Sequence, residues 1–230
     1  MKILCTICAR KGSKGVINKN IKKINGKELI YYTIKQAVKS RIFDKVVVSS
    51  DSKKILKLSK KFGADFVYLR NKSGAKDNSP KIPAIKELTK ASELFYNTKF
   101  DFIMDLDVTS PLRTISDIKK SYIFFKSKKA DILLSCCVSK KSPYFNIVEK
   151  KNGKIFTSKF ISKSISRRQD APITYDLNAS IYIWKRKILE NCKTLYTKRT
   201  VLFVMPQERS IDIDTKFDFR VVKSFLKKNV

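Results

Sequence analysis

The stretch Ile3–Gly15, ILCTICARKGSKG, joins a short apolar run to a basic loop that contains two glycines. The apolar run is bounded by charge and predicts a buried β-strand. Glycines let the following backbone approach a phosphate, and its N–H groups can point at the anion. Arg10 and the neighbouring lysines can neutralise charge on phosphoryl oxygens. A phosphate-binding loop is therefore expected here, with a solvated basic turn as the alternative. The glycine spacing fits neither a Walker loop nor a dinucleotide fingerprint.

Outward from this loop, strand and helix patterns alternate through the first half of the chain. Further strands are predicted at 46–48, 65–69, 100–106 and 132–138, and helices at 29–38, 53–62, 81–96 and 115–127. This rhythm predicts an α/β fold with a largely parallel sheet and helices on both faces. Ligands of such sheets bind beyond the carboxyl ends of the strands. The loops at 9–20, 70–80 and 107–113 each follow a strand, so we expect them to meet at one cleft.

The rhythm breaks between residues 139 and 176. Lys151–Lys154 (KNGK) predicts a hairpin turn. This segment is either a β arm laid on the main domain or a contact between subunits. Strands are then expected at 177–184, 201–205 and 210–214, followed by a helix at 215–228. We expect residues 1–230 to form a single domain.

The chain carries 51 Lys and Arg against 20 Asp and Glu, a net charge of +31. Such a charge fits a polyanion partner, either nucleic acid or an acidic membrane surface. It also fits a lysine-rich composition without a partner, which the even spread of the lysines favours. We therefore expect no nucleic-acid or membrane partner, although the charge should concentrate an anionic substrate.

Cysteine and histidine usage limits the chemistry. Five Cys, an odd number, without a secretory signal predict reduced thiols and a cytoplasmic protein. Cys5 and Cys8 have the spacing of a zinc knuckle. Because positions three apart in a strand face opposite sides, we do not expect them to bind a structural zinc together. The absence of His excludes Ser-His and Cys-His catalysis. No apolar run approaches the roughly 20 residues of a membrane helix.

Two pairs of aspartates could bind a cation. In a strand at 210–214, Asp212 and Asp214 would share one face and suit Mg²⁺, which takes few protein oxygens. Alternatively, Asp214 or Thr215 only caps the last helix. Asp105 and Asp107 end the predicted strand at 100–106 and could bind metal or sugar hydroxyls, or make local turn bonds.

Four motifs, in this order, resemble those of the CMP-sialic acid synthetases (acylneuraminate cytidylyltransferases). They are Ala9–Asn20 (Ala-Arg-x-x-Ser-Lys-Gly, then Lys-Asn), Thr109–Arg113 (TSPLR), Asn178–Ile183 (NASIYI) and Ser210–Thr215 (SIDIDT). The resemblance implies a Rossmann-like, three-layer α/β fold and a homodimer with a small β-rich dimerisation arm, which 139–176 would supply. It also implies attack of a sugar's anomeric hydroxyl on the α-phosphorus of CTP, with release of pyrophosphate and use of Mg²⁺.

The same resemblance implies roles for the matching positions. The nucleotide would be bound by Arg10, Gly12, Ser13, Lys14, Asn20, Arg70 and Asp77, with Arg70 reading the cytosine. Catalysis would rest on Arg10, Lys14, Lys19 and Asp212. Magnesium would be held by Asp212 and Asp214. The sugar would be bound by Asp107, Thr109, Ser110, Asn178, Tyr182 and the partner's Arg168.

Three departures from the family pattern fall on the sugar side. Enzymes for N-acetylneuraminate commonly have Gln-Pro where this chain has Asp107–Val108, Arg where it has Asp176, and an aromatic pair where it has Lys193–Thr194. We hypothesise that the sugar is a related nonulosonate, such as a diacetamido legionaminic or pseudaminic acid. Asp107 and Asp176 could accept hydrogen bonds from its amides.

Two other functions compete with this one. The 3-deoxy-manno-octulosonate cytidylyltransferases share the chemistry, but motifs 109–113 and 210–214 differ from theirs. A nucleic-acid-binding protein without catalysis would explain the charge, but the chain shows no recognisable nucleic-acid module. Nothing after Val230 encodes the phosphatase domain that some family members carry, so a synthetase alone is expected.

Overall fold

The computed structural model describes residues 1–12, 15–70, 81–160 and 167–227, without the side chains of Arg168 and Lys227. The strands are β1 Ile3–Cys8, β2 Lys23–Ile24, β3 Lys27–Glu28, β4 Lys45–Ser50, β5 Phe66–Leu69, β6 Phe102–Leu106, β7 Ile132–Val138, β8 Val148–Lys151, β9 Lys154–Thr157, β10 Tyr175–Lys185 and β11 Thr200–Val204. The helices are α1 Leu29–Ser40, α2 Lys53–Phe62, α3 Lys81–Phe95, α4 Ile115–Ser127, α5 Arg186–Asn191 and α6 Lys216–Lys227.

The main sheet has the strand order β11-β7-β10-β6-β1-β4-β5. All neighbours are parallel except β10, which runs antiparallel to both β6 and β7. From β1 the chain moves to β4 and β5 on one side, and β6 then lies on the other side of β1. The sheet therefore has a topological switch point between β1 and β6, where α/β proteins bind ligands. The predicted, largely parallel α/β sheet is confirmed.

Helices cover both faces of this sheet. Alternation along β1 sends Ile3, Cys5 and Ile7 into a core shared with α1, α2, α4 and α6. Leu4 points the other way, into a second core with α3 and α5. The result is the expected three-layer arrangement.

Local signals in the sequence fix several element ends. The Ser52 hydroxyl caps α2 by accepting a hydrogen bond from the Ile55 N–H, and Gly63 ends the helix at φ 107°. Thr114 and Asp117 form a capping box at the start of α4. These caps explain why the predicted bounds of both helices agree with the structure.

One strand prediction is wrong. Residues 210–214 form no strand; the chain leaves the sheet at Met205, passes through a 3-10 turn at Gln207–Arg209 and continues irregularly to α6. Pro206 lacks the N–H that a further ladder bond would need. Asp212 and Asp214 therefore do not share a strand face: the Asp212 side chain is largely buried, and that of Asp214 is 76% exposed.

The segment 139–176 contains the predicted hairpin, formed by β8 and β9. Asn152 and Gly153 have φ of 50° and 77° and make its two-residue turn. Every residue of both strands is exposed, including the large apolar side chains Ile155 and Phe156. Within one chain this arm covers little of its own apolar surface.

None of the described helices combines the length and the apolarity that crossing a lipid bilayer requires.

Candidate functional site

The site lies at the edge of the sheet where β1, β4, β5 and β6 end. Because these strands are parallel, the segments that follow them emerge together. The segment 210–215 contacts both the loop after β1 and the turn after β6. The sequence predicted that the loops at 9–20 and 107–113 meet, and they do so through 210–215; the loop at 71–80 lies outside the described residues.

The basic loop is braced by its own polar groups. The Asn20 amide donates to the Arg10 carbonyl oxygen at 2.8 Å, and the Lys11 N–H donates to Asp51 Oδ1 at 2.7 Å. Arg10 is half-buried, and Gly12 is exposed with open space around its Cα. Asn20 is buried, so it shapes the loop by holding the backbone of Arg10. Ser13 and Lys14, both predicted to bind phosphate, lie outside the described residues.

Lys19 joins this loop to the segment 210–215. Its ammonium donates to the Ile213 carbonyl oxygen and lies 3.4 Å from Asp214 Oδ1. Gly15 packs its backbone against the same segment, so closely that a Cβ there would overlap the Asp214 carbonyl oxygen. Ile213 N–H donates to the Thr109 carbonyl oxygen at 3.0 Å. Three of the four sequence motifs therefore meet at this point.

Asp105 and Asp107, at the end of β6, share one lysine. Lys81 Nζ lies 2.7 Å from Asp105 Oδ2 and 2.8 Å from Asp107 Oδ2. Asp105 Oδ1 accepts from the Thr6 hydroxyl at 2.8 Å. Asp107 Oδ1 accepts from the N–H and hydroxyl of Thr109 at 3.0 and 2.8 Å. The local turn bonds and the clustering of the two carboxylates are thus both present.

The pKa values of these two carboxylates shift in opposite directions. Burial raises the pKa of Asp105 in spite of Lys81. Burial also opposes ionisation of Asp107, but Lys81 and the Thr109 hydrogen bonds outweigh it and hold the pKa of Asp107 below its ordinary value. Asp107 is therefore the carboxylate of this pair that stays charged most readily.

Asp212 fits a divalent cation. Burial, and then the charge of Asp107, raise the pKa of Asp212 to about 6. Among the described residues its Oδ1 is buried without a hydrogen-bond partner. A cation with phosphate and water ligands would satisfy this oxygen. No group of three or more acidic, Cys or His side chains that could hold an ion occurs in the described parts of the chain. The donor set therefore suits Mg²⁺ shared with a nucleotide, better than an ion held by the protein alone.

The third motif contains a bulge in β10. The register against β7 shifts between Leu177 and Tyr182, and Ala179 has φ of 50°. Asn178 is buried and stabilises the bulge: its Oδ1 accepts from the Ser135 hydroxyl at 2.6 Å and the Ser180 N–H at 3.2 Å. Its amide nitrogen donates to the Ser210 hydroxyl at 2.9 Å. Asn178 thus ties the sheet to the fourth motif, and its predicted contact with sugar stays a prediction.

The other predicted sugar residues differ in accessibility. Ser110 is buried and donates to the Asn178 carbonyl oxygen at 3.1 Å. Tyr182 is mostly buried, and burial raises its pKa to about 12. Asp176 is exposed and accepts from the Ser139 hydroxyl at 2.5 Å. Asp176 is therefore the more available hydrogen-bond acceptor, since Asp107 is already bound to Lys81 and Thr109.

Two residues with predicted roles lie next to segments that the structure does not describe. Arg70 follows β5 and is 7% exposed, with its Nε buried and without a hydrogen-bond partner in the described residues. Arg168 lies in a 3-10 turn at Arg168–Asp170, and its side chain is not described. Asp77 lies outside the described residues. Their assigned roles stay predictions.

Sequence reasoning missed two cations at this edge. Arg113 is fully buried and donates to the Ser180 carbonyl oxygen at 2.8 Å and to the Asp107 carbonyl oxygen at 2.6 Å. It fixes the turn after β6 against the β10 bulge. The other cation is Lys81. A lysine at the start of a helix opposes the helix dipole, but Lys53 and Lys54 also open α2, so this position alone did not indicate an acidic partner.

Comparison with known proteins assigns the arrangement to a family. The family model described as cytidylyltransferase matches residues 4–221. The chain is 43% identical to CMP-N,N'-diacetyllegionaminic acid synthase of Campylobacter jejuni subsp. jejuni serotype O:2, over 96% of this chain and 94% of that protein. It is 41% identical to post-translational flagellin modification protein B of Campylobacter coli, over 99% and 96%.

A solved structure agrees with the fold. It is that of a CMP:2-keto-3-deoxy-manno-octonic acid synthetase complexed with CTP, which superposes with a TM-score of 0.71 and covers 100% of both chains. The sequence identity is 15%, so this likeness concerns the fold alone.

Proposed function

Because the chain belongs to the cytidylyltransferase family, we propose that it transfers CMP from CTP to an acidic nine-carbon sugar of the legionaminic acid type. The observation that carries this proposal is the contact between the basic loop and the segment 210–215, made by Lys19 and Gly15. It brings the basic loop, which we propose binds phosphate, beside the largely buried carboxylate of Asp212. A relative that is 43% identical bears the name of a legionaminic acid synthase, which supports the choice of sugar.

The reaction requires one bond to form and one to break at the α-phosphorus. The anomeric hydroxyl oxygen of the sugar attacks this phosphorus, and the bond to the bridging oxygen of pyrophosphate breaks. The hydroxyl proton passes to solvent, and pyrophosphate leaves with the bonding electrons. Negative charge grows on the phosphoryl oxygens, so nearby cations lower the barrier.

Different described residues would bind the phosphates and the metal in this reaction. Arg10 and Lys19 would neutralise the phosphates, while Asn20 holds the Arg10 backbone in place. Asp212, with Asp214 at the rim, would hold Mg²⁺, and the bound ion would supply Lewis-acid stabilisation of the phosphate charge. Because Asp214 is largely exposed, Asp212 would be the principal protein ligand.

On the sugar side, Asp176 would accept a hydrogen bond from an amide of the sugar, since it is exposed near the start of β10. Asp107 would present a charged carboxylate already oriented by Thr109 and Lys81. An amide N–H of a diacetamido sugar could donate to either carboxylate.

A homodimer would complete the site. The hairpin of β8 and β9 exposes Ile155 and Phe156, and Phe160 beyond it is 87% exposed. A second copy of the chain would cover these side chains, and the partner's Arg168 would approach the sugar. We place the enzyme in the cytoplasm, where CTP and reduced thiols occur together, with no nucleic-acid or membrane partner.

A panel of sugars tests this proposal. Purified protein is given CTP, Mg²⁺ and, separately, N,N'-diacetyllegionaminic acid, pseudaminic acid, N-acetylneuraminate or 3-deoxy-manno-octulosonate, and pyrophosphate release is followed. We expect the highest kcat/KM with the legionaminic sugar. A large preference for N-acetylneuraminate would reject the sugar assignment. A preference for 3-deoxy-manno-octulosonate would favour the alternative cytidylyltransferase.

A further inference from the structure

Lys81 is the first residue of α3, and its side chain reaches the end of β6. Its ammonium contacts the carboxylates of Asp105 and Asp107 at 2.7 and 2.8 Å. The side chain is 30% exposed, whereas those of the two aspartates are 0% and 20% exposed. The ammonium also lies 5.6 Å from the ring centre of Tyr182. One cation thus contacts two buried acids and a residue predicted to face the sugar.

Helix propensity does not explain a lysine at this position. The N-terminus of a helix is its positive end, where acidic residues are favoured and cations are not. The first turn of α3 contains no acidic residue that could offset the charge. Lys53 and Lys54 open α2 under the same condition, so the position alone does not distinguish Lys81. What distinguishes Lys81 is that its ammonium contacts the carboxylates of Asp105 and Asp107.

The carboxyl edge of the sheet is acidic where an acidic substrate has to bind. Asp105, Asp107 and Asp212 lie close enough for the charge of Asp107 to act on both of the others. A sugar that carries its own carboxylate would be repelled by uncompensated aspartates, and the repulsion is strong where water is excluded. Arg113 also acts on both aspartates, but it is fully buried and bonded to the Asp107 and Ser180 carbonyl oxygens. Among the described residues, Lys81 is the cation whose side chain contacts the two carboxylates.

We propose that Lys81 is a positioning residue that determines whether the site accepts an acidic sugar. It neutralises Asp105 and Asp107 and holds Asp107 in one orientation, so that an anion can approach the end of β6. It acts through Asp107 rather than on the reacting atoms. This inference rests on the proposed function. It states that the sugar-binding half of the site needs its aspartates neutralised before an acidic sugar can bind.

The central variant is K81M, which keeps the length of the side chain and removes its charge. We expect the KM for N,N'-diacetyllegionaminic acid to rise at least about tenfold, the change that accompanies a loss of 1.4 kcal/mol. The KM for CTP should stay within about twofold. Lys90, exposed on the same helix, provides the matched control, because K90M should leave both values unchanged.

A second variant separates charge from shape. In K81M/D107N the charge of Asp107, the more exposed of the two carboxylates, is gone, together with the hydrogen bond that Asp107 would accept from the sugar. The KM for the sugar should therefore fall below that of K81M without reaching the wild-type value. K81R keeps the positive charge and should stay close to the wild type. If K81M does not fold, as judged by circular dichroism, the double variant and K81R still decide the question. A sugar KM far above the wild type in K81R, or a double variant whose sugar KM is no lower than that of K81M, would overturn the proposal.

A neutral analogue gives a readout that a structural role of Lys81 would not produce. The analogue is the same sugar with its carboxylate replaced by a carboxamide, used as a competitive inhibitor. Its inhibition constant should be the same in wild type and K81M, because it carries no charge for Asp107 to repel. Equal weakening of the sugar and its carboxamide, or an unchanged KM for the sugar in K81M, would contradict the proposal.

The wild-type assay distinguishes this inference from the function on which it rests. If the wild type releases no pyrophosphate with any acidic sugar, the proposed function itself is wrong. If the wild type is active and the K81M results fail as described, only the role of Lys81 is wrong.

Discussion

At the residue scale, the two aspartates of the fourth motif are not equivalent. Asp212 is largely buried with an oxygen that has no partner in the described residues, whereas Asp214 is mostly exposed beside Lys19. The sequence predicted an equal pair because it placed both on one strand face. The irregular backbone at 210–214 makes Asp212 the stronger candidate for binding Mg²⁺.

We predict that D212N lowers kcat by roughly 10²-fold or more, since a metal at the phosphates contributes several kcal/mol to the transition state. D214N should lower it by less than about tenfold. Steady-state rates over a range of Mg²⁺ concentrations measure both effects. Equal losses in the two variants, or a larger loss in D214N, would contradict this ranking.

Gly15 gives a second prediction at this scale. A Cβ at this position would overlap the Asp214 carbonyl oxygen, so G15A must push the basic loop away from the segment 210–215. We expect a large loss of kcat/KM for CTP and a lower melting temperature. G12A serves as the control for stability alone, because nothing lies within 4 Å of a Cβ there. A G15A protein with wild-type kinetics would show that the contact is not needed.

The roles of Lys81 and Arg113 could not be predicted from the sequence. Both are cations whose partners are distant in sequence: Asp105 and Asp107 for Lys81, and the Ser180 and Asp107 carbonyl oxygens for Arg113. In a chain with 51 Lys and Arg, composition could not single out either. The motif aspartates were found because their spacing is local, whereas their counter-ions depend on the topology of the sheet.

At the element scale, helices and buried strands could be predicted and the approach to the last helix could not. Capping residues and apolar periodicity are local signals, which is why the predicted bounds of α2 and α4 agree with the structure. Alternation at 210–214 resembles a strand, but no strand in the described parts of the chain pairs with these residues after Pro206. The antiparallel direction of β10 is likewise set by pairing between distant strands.

The start of α4 carries a testable ion pair. Asp117 closes the capping box and also accepts from Arg209 Nε and Nη2 at 2.9 and 3.0 Å. Burial opposes its ionisation, but the bonds from Arg209 and Thr114 outweigh burial and hold the pKa of Asp117 below its ordinary value. We predict that D117N lowers the free energy of unfolding at pH 7 by about 2 kcal/mol.

The sign of the pH dependence follows from this lowered pKa. The stabilisation is fully present above the unfolded pKa of about 3.9 and is lost as the pH falls through the folded value. Urea unfolding should therefore give a gap between wild type and D117N at pH 7 that narrows below about pH 4. E190Q is the control, because the Glu190 carboxylate is half-exposed and Arg186 keeps its pair with Glu93; it should change stability by less than about 0.5 kcal/mol. A gap that grows on acidification would refute the assignment.

At the scale of the whole molecule, the exposed hairpin predicts self-association. Ile155 and Phe156 are 67% and 54% exposed on an arm that covers little of its own apolar surface. We expect light scattering to give the mass of two chains for the wild type and of one chain for I155E/F156E. L94E, on an apolar side chain exposed at the end of α3, should leave the mass unchanged. A monomeric wild type would contradict the role of the arm.

The central claim is that this cytidylyltransferase joins CMP to an acidic nine-carbon sugar. It is tested most directly by ³¹P NMR of the wild type with CTP, Mg²⁺ and N,N'-diacetyllegionaminic acid. The account predicts that the triphosphate signals are replaced by those of pyrophosphate and of one phosphodiester, and only when the sugar is present. Unchanged CTP with every acidic sugar in the panel, or hydrolysis of CTP to free CMP without a phosphodiester, would contradict it.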